Sequence, residues 1–228
     1  MSMHQQTGPL PLSSPLWLLR HARPCIAPGI CYGQHNVEAD PGHTEEAALA
    51  MVQAVLDHRS AQPDVWHAPL RLVASPLGRC RQLQEALATR LQPLGIPVTC
   101  SCDARLAEIH FGTWENRLWS DITPQEWALW MASFMDFRLG GKGETVRELI
   151  SRVSELAMAH QRCRTPTIWI THAGVMRATA LLWQTGFDPL RGTLTAAQWA
   201  GLEAASPGGY RRLMAPIVPS NPLMNARE

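Results

Sequence analysis

Residues 16–22 read Leu16-Trp17-Leu18-Leu19-Arg20-His21-Ala22, and the abrupt change from apolar to ionisable side chains in the middle of them organises the rest of the chain. Four apolar residues between Pro15 and a polar loop are too few for a buried helix and suit a short central strand covered on both faces. Arg20 and His21 then stand at its carboxyl end. In open sheets of strands and helices, that edge is where ligands bind.

The same pattern recurs twice. Residues 70–74, Leu-Arg-Leu-Val-Ala, read as a strand, and Ser75-Pro76 after them as the N-cap and first residue of a helix reaching about residue 91. Residues 167–170, Thr-Ile-Trp-Ile, read as another strand, followed by Thr171-His172 and a helix over 174–184. Between these lie a loop over 22–42, a helix with Thr44 as N-cap through about 58, a short strand over 96–100, an extended stretch over 106–111 ending at Gly112, and a helix over 144–162. Strands alternating with helices predict an α/β fold: a three-layer α/β/α sandwich with a mostly parallel central sheet and helices on both faces.

Trp127, Trp130, Met131, Phe134 and Met135 recur at helical spacing after Thr123-Pro124, which predicts a small helical insertion over about 115–143. Its aromatic stripe is read as core in preference to a wall facing a substrate. From residue 206 the proline and glycine content predicts an edge strand over 210–213 and an extended tail over 215–228. No internal repeat interrupts a single domain spanning 1–228, with its core over about 16–214.

The composition, 46% apolar and 17% charged over 228 residues, is that of a globular chain with one buried core. A net charge of +1 gives no footprint for nucleic acid, so anion specificity rests on a few placed arginines or lysines. No apolar run is long enough to cross a bilayer, and residues 1–15 lack a basic segment followed by a long apolar one. A cytoplasmic location without membrane or nucleic-acid partners is expected, and a homodimer is left open. The six cysteines are expected to be free and mostly buried.

Three groups with chemical potential therefore leave strand ends on one edge: Arg20-His21, Ser75 to Arg79, and Thr171-His172. Two guanidinium forks match phosphate oxygens and offset a dianion without a metal. A neutral imidazole is a competent nucleophile toward phosphorus, and a second, if protonated, adds a donor where charge builds on the equatorial oxygens. N–H groups at the start of the helix after His172 would point toward the same anion. The remaining histidines show no paired ligand spacing, Cys100 and Cys102 lack a second pair, and neither a serine-hydrolase elbow nor a nucleotide-cradling lysine loop occurs. No metal and no cofactor are expected.

Four stretches, Arg20-His21-Ala22, Ser75-Pro76-Leu77-Gly78-Arg79, Glu108-Ile109-His110-Phe111-Gly112-Thr113-Trp114-Glu115 and Thr171-His172-Ala173-Gly174, stand in the order of the motifs of the histidine phosphatase, or phosphoglycerate mutase-like, superfamily, which the chain resembles. The resemblance implies hydrolysis of a phosphate monoester of a small molecule through a phosphohistidine on His21. Arg20, Arg79 and His172 would hold the phosphate, and Glu108 would be the general acid. Phe111-Gly112-Thr113-Trp114-Glu115, Tyr32-Gly33 and Gly143-Glu144-Thr145 most resemble the branch containing alpha-ribazole phosphatase. That likeness implies that Tyr32, Gly33, Glu144 and Ala173 border the substrate. Ala22 and Ala173 replace the glycines that usually follow the two histidines, and Arg23 occupies a position often held by another residue type.

Two other functions share these residues. A mutase would return the phosphate to a sugar acid, but the 114–143 insertion is apolar where basic residues would be wanted. A silent sensor of a phosphorylated ligand would explain Ala22 and Ala173, against which stands the presence of both histidines, both arginines and Glu108 together.

Overall fold

In the computed structural model, which describes residues 14–213, five strands form one sheet in the order β3-β2-β4-β1-β5. They are β1 (Leu16–Arg20), β2 (Leu70–Ala74), β3 (Val98–Cys102), β4 (Thr167–Thr171) and β5 (Tyr210–Leu213). All pairs are parallel except that of β5 with β1, which closes one edge in the antiparallel sense. The helices are α1 (Pro41–Ala61), α2 (Gly78–Leu91), α3 (Pro124–Ala132), α4 (Val146–Gln161), α5 (Ala173–Thr185) and the short α6 (Ala196–Gly201), which the sequence pattern did not reveal.

Alternation along each strand divides the core in two. Trp17, Leu19, Leu70, Leu72, Ile168 and Ile170 face α1 and α2 in one apolar cluster. Leu16, Leu18, Val73 and Trp169 face α4 and α5 in the other. The sheet is thus covered on both faces, as the short apolar runs require, and the chain is a three-layer α/β/α sandwich.

Several boundaries differ from the expected ones for local reasons. α1 starts at Pro41, not Thr44, because the Asp40 side chain accepts from His43 N at 2.7 Å and proline fits the first helical position. α2 starts at Gly78, after an extended Leu77, and Ser75 does not cap it. β3 is shifted to Val98–Cys102 because its register is fixed by pairing with β2, Leu70 opposite Val98 through Ala74 opposite Cys102. It is the edge strand, which leaves Cys100 and Cys102 exposed. With Cys25 also exposed, Cys163 intermediate and only Cys31 and Cys80 buried, the free thiols are not mostly buried. The expected tail over 215–228 lies outside the described residues.

The insertion contains one regular helix, α3, entered through a reciprocal capping box between Thr123 and Glu126. Trp127 and Trp130 stack on each other with ring centroids 5.3 Å apart, and Trp130 stacks on Phe134 at 5.6 Å. Phe134 and Met135 lie just past the end of α3 and are buried, whereas Met131 is exposed. The stripe is therefore only partly core.

Between its two ends, the insertion is tied to the 110–115 segment by backbone laid directly on backbone. Gly112 has φ +61, and a Cβ there would lie 2.4 Å from Leu139 O and 2.6 Å from Gly143 N. Neither atom is on a side chain that can swing away. Gly112→Ala should therefore destabilise the protein by about 2–3 kcal/mol through strain and displaced backbone. Denaturant unfolding checks this; a variant within about 0.5 kcal/mol of the parent would contradict it.

Candidate active site

Parallel pairing sets the site. Arg20 is in register with Thr171, and Ala74 with Ile170. One residue further on, His21 N donates to Thr171 O at 3.0 Å and Ser75 N to Ile170 O at 2.9 Å. His21, Ser75 and His172 therefore leave three adjacent strands side by side at their carboxyl ends. The rings of His21 and His172 stand with centroids 5.0 Å apart.

Both imidazoles are buried, and their protons are assigned by their neighbours. His21 Nδ1 lies 2.6 Å from Ala22 O, an acceptor only, so Nδ1–H donates and Nε2 keeps its lone pair. Burial, followed by the charges of Arg79 and Arg20, lowers its pKa to about 3 against the one favourable backbone bond. Burial also holds His172 well below the ordinary value, with further contributions from His21 and Arg79. Arg79 Nη2, which can only donate, lies 3.2 Å from His172 Nδ1, so the proton of His172 is on Nε2 and donates to Ser75 Oγ at 2.8 Å. In this structure His172 is neutral and does not supply the positive charge considered from sequence.

Arg79 is buried completely. Its Nη1 donates to His35 O at 2.9 Å and Nη2 to Gly33 O at 2.7 Å, and its guanidinium carbon lies 5.0 Å from the centre of the Tyr32 ring. Burial depresses its pKa, but a guanidinium remains charged. Arg20 Nη1 donates to Ala205 O at 2.9 Å. The Nε–H groups of both arginines are buried with no acceptor, and among the described residues neither arginine forms an ion pair with a carboxylate. Two positive forks with unused donors beside a neutral imidazole suit an anion with several oxygens.

Glu108, on the segment after β3, is brought to the start of α5. Its Oε1 accepts from Ile109 N at 2.9 Å and from Gly174 N at 3.1 Å. One of the helix N–H groups expected to face an anion is thus taken by Glu108. Tyr32 stands edge-on to His21 at 6.4 Å, Gly33 offers its carbonyl to Arg79, and Ala173 opens α5. Glu144 is different. Its carboxylate is held by Arg152, at 2.6 Å from Nε and 3.0 Å from Nη2, and Arg152 also donates to Glu108 O at 3.2 Å. Glu144 therefore acts through Arg152 on the backbone that carries Glu108.

Ser75, whose part in the site the sequence did not specify, and Arg152 and the 205–209 segment, which it did not mark, support the site. Gly208 N donates to His21 O and Arg20 N to Gly209 O, each at 2.9 Å, so that segment holds the Arg20-His21 backbone. Ser75 is visible beside the second strand, but its partner is 97 residues away. Nothing local marks Arg152. Among the described residues no group of three or more His, Cys, Asp or Glu side chains could hold a metal ion, and no helix is long and apolar enough to cross a membrane.

The buried neutral histidines give a pH signature. His160, pushed down to about 4 by burial and then by Arg71, joins His21 and His172. Unfolded, these rings bind protons near pH 6.5, but folded they do not until far lower. Below pH 6.5 the unfolded state therefore binds more protons, and stability must fall on acidification. Between pH 6.5 and 5 the unfolding free energy should drop with a slope approaching about 1.4 kcal/mol per pH unit for each such histidine. A stability constant over that interval, measured by urea unfolding, would contradict the assignment.

The architecture has known counterparts. A mycobacterial glucosyl-3-phosphoglycerate phosphatase superposes with a TM-score of 0.62 at 22% identity, covering 88% of this chain and 89% of its own. The TTHB049 protein of Thermus thermophilus gives 0.56 at 23% identity, with 87% and 92% covered. A protein described as mycobacterial hydrolase 2 gives 0.61 at 20% identity, with 87% and 81% covered. No curated protein sequence matches the chain. These likenesses speak to fold; membership rests on the sequence profile of the histidine phosphatase superfamily, branch 1, which matches residues 16–203. The strand-end histidines, the arginines beside them and that match together place the chain in the histidine phosphatase superfamily.

Proposed function

We propose that the protein hydrolyses a phosphate monoester of a small metabolite through a phosphohistidine on His21. One observation carries this: the His21 ring is neutral, its Nδ1–H is fixed by Ala22 O, its Nε2 lone pair is left free, and it feels the charges of Arg79 and Arg20, each of which has a buried Nε–H with no acceptor. In the first step Nε2 attacks phosphorus, the bond to the ester oxygen breaks, and the leaving alkoxide takes a proton from the Glu108 carboxyl group. In the second, water attacks phosphorus, the P–N bond breaks, and the water proton passes to the Glu108 carboxylate, restoring the acid. Arg20 and Arg79 offset the charge on the equatorial oxygens throughout. Holding His21 by its backbone and by Nδ1 fixes the direction of the attacking lone pair, which supplies orientation.

For the natural substrate, the phrase Phe111-Gly112-Thr113-Trp114-Glu115 supports alpha-ribazole 5'-phosphate as the first compound to try. The mycobacterial relative adds glucosyl-3-phosphoglycerate. Mutase-type transfer to a sugar acid is not favoured, because the 114–143 insertion is dominated by stacked aromatic rings and is not markedly basic.

The wild-type protein should release nitrophenol from p-nitrophenyl phosphate in the presence of a chelator. His21→Ala should lower turnover by at least about a thousandfold. Turnover that depends on an added metal, or persists in His21→Ala, would overturn this reading.

A further inference from the structure

Proton transfer requires the Glu108 carboxyl group to stand within hydrogen-bond reach of the reacting oxygen, yet Glu108 lies in a segment with no helix or strand of its own. Two backbone N–H groups hold the carboxyl group, that of the adjacent Ile109, at 2.9 Å from Oε1, and one from α5, which ties it to the rest of the site. The Gly174 N–H, in the first turn and without a partner inside the helix, donates to Oε1 at 3.1 Å and reaches Oε2 at 3.3 Å.

The identity of residue 174 matters for this contact and for little else. A Cβ on Gly174 would lie 2.3 Å from Glu108 Oε1 and 3.3 Å from its Cδ, whereas the next atom, Leu149 Cδ2, is at an ordinary 3.5 Å. The backbone there is helical, with no positive φ to require glycine, and glycine in a helix is otherwise less favourable than alanine. The space of one methyl group is thus kept open for a carboxyl oxygen. The neighbouring Ala173 already carries its methyl group, so close approach is needed at 174 and not at 173.

We propose that Gly174 is a positioning residue for acid–base catalysis: its bare Cα makes the seat in which the Glu108 carboxyl group docks on the first turn of α5. The inference rests on the proposed function and assigns how its proton-transfer group is aimed. One turn of backbone then sets two parts of the site, the His172 ring at the N-cap and the Glu108 carboxyl group beside it. The atom that a methyl group would strike is the free end of a flexible side chain. Gly174→Ala therefore spares the fold and moves the carboxyl group.

The test compares wild type, Gly174→Ala, Glu108→Gln and the double variant on two esters. The p-nitrophenyl ester has a leaving group that needs no proton, and a simple alkyl phosphate has one that does. Gly174→Ala should lower kcat/KM for the alkyl ester by about 10- to 100-fold, with a several-fold smaller loss on the nitrophenyl ester. The double variant should be no slower than Glu108→Gln alone, since both changes remove one function. The thermal midpoint should stay within a few degrees of wild type. If Glu108→Gln discriminates between the esters but Gly174→Ala does not, if the two losses multiply, or if Gly174→Ala loses cooperative unfolding, the proposal is overturned. Equal losses on both esters in Glu108→Gln would instead overturn the role of Glu108 on which it rests.

Discussion

A guanidinium group with no exposed surface is expensive unless its charge and its donors are matched, and Arg79 is such a group. The loop after β1 supplies two carbonyls, Gly33 O and His35 O, and α5 supplies the Nδ1 lone pair of His172. These neutral acceptors satisfy donors but do not cancel charge. No carboxylate among the described residues pairs with Arg79 or with Arg20. Burial is the larger reason that both histidines stay unprotonated, and the positive potential this leaves adds to it, so that the His21 lone pair remains available. The same potential also favours a dianion at the same point. The buried charge thus reinforces the neutral state of His21 and the attraction of an anion together.

The sheet makes this economical in residues. Since β1, β2 and β4 are parallel and adjacent, their carboxyl ends deliver His21, Ser75 and His172 to one edge without any long loop. The two apolar clusters on either face hold the strands in register, and register sets the spacing of the two imidazoles. A second tier then braces these side chains. Gly208 and Gly209 hold the backbone of Arg20 and His21, Ser75 accepts the His172 proton that Arg79 places on Nε2, and Arg152 joins Glu144 to the carbonyl of Glu108.

Much of this was legible in the sequence because the informative signals are local. Four apolar residues that stop abruptly at Arg20-His21 announce a buried strand and its functional end in one phrase, and the same holds at 70–79 and 167–172. What stayed hidden depends on partners far along the chain. Ser75 before Pro76 looks like a helix cap, but its hydroxyl is committed to the His172 ring and to Leu77 N, so α2 starts later. The bracing of the Glu108 carbonyl by Arg152, 44 residues away, shows only once the chain is folded. Asp40 and Thr44 are equally plausible caps by residue type; Pro41 decides between them, because it fits the first turn that Asp40 caps. The exposure of Cys100 and Cys102 follows from β3 standing at the sheet edge, a property of strand order that no window of sequence contains.

The central claim is that His21 Nε2 forms a covalent bond to phosphorus during turnover. The most direct measurement stops the reaction with an isotopically labelled phosphate ester in alkali within milliseconds, digests the protein and locates the label. The account predicts phosphate on the peptide carrying Arg20-His21-Ala22, stable in alkali and lost in acid, as a phosphoramidate should be. Label that survives acid on another residue, or turnover with no label on His21, would contradict it.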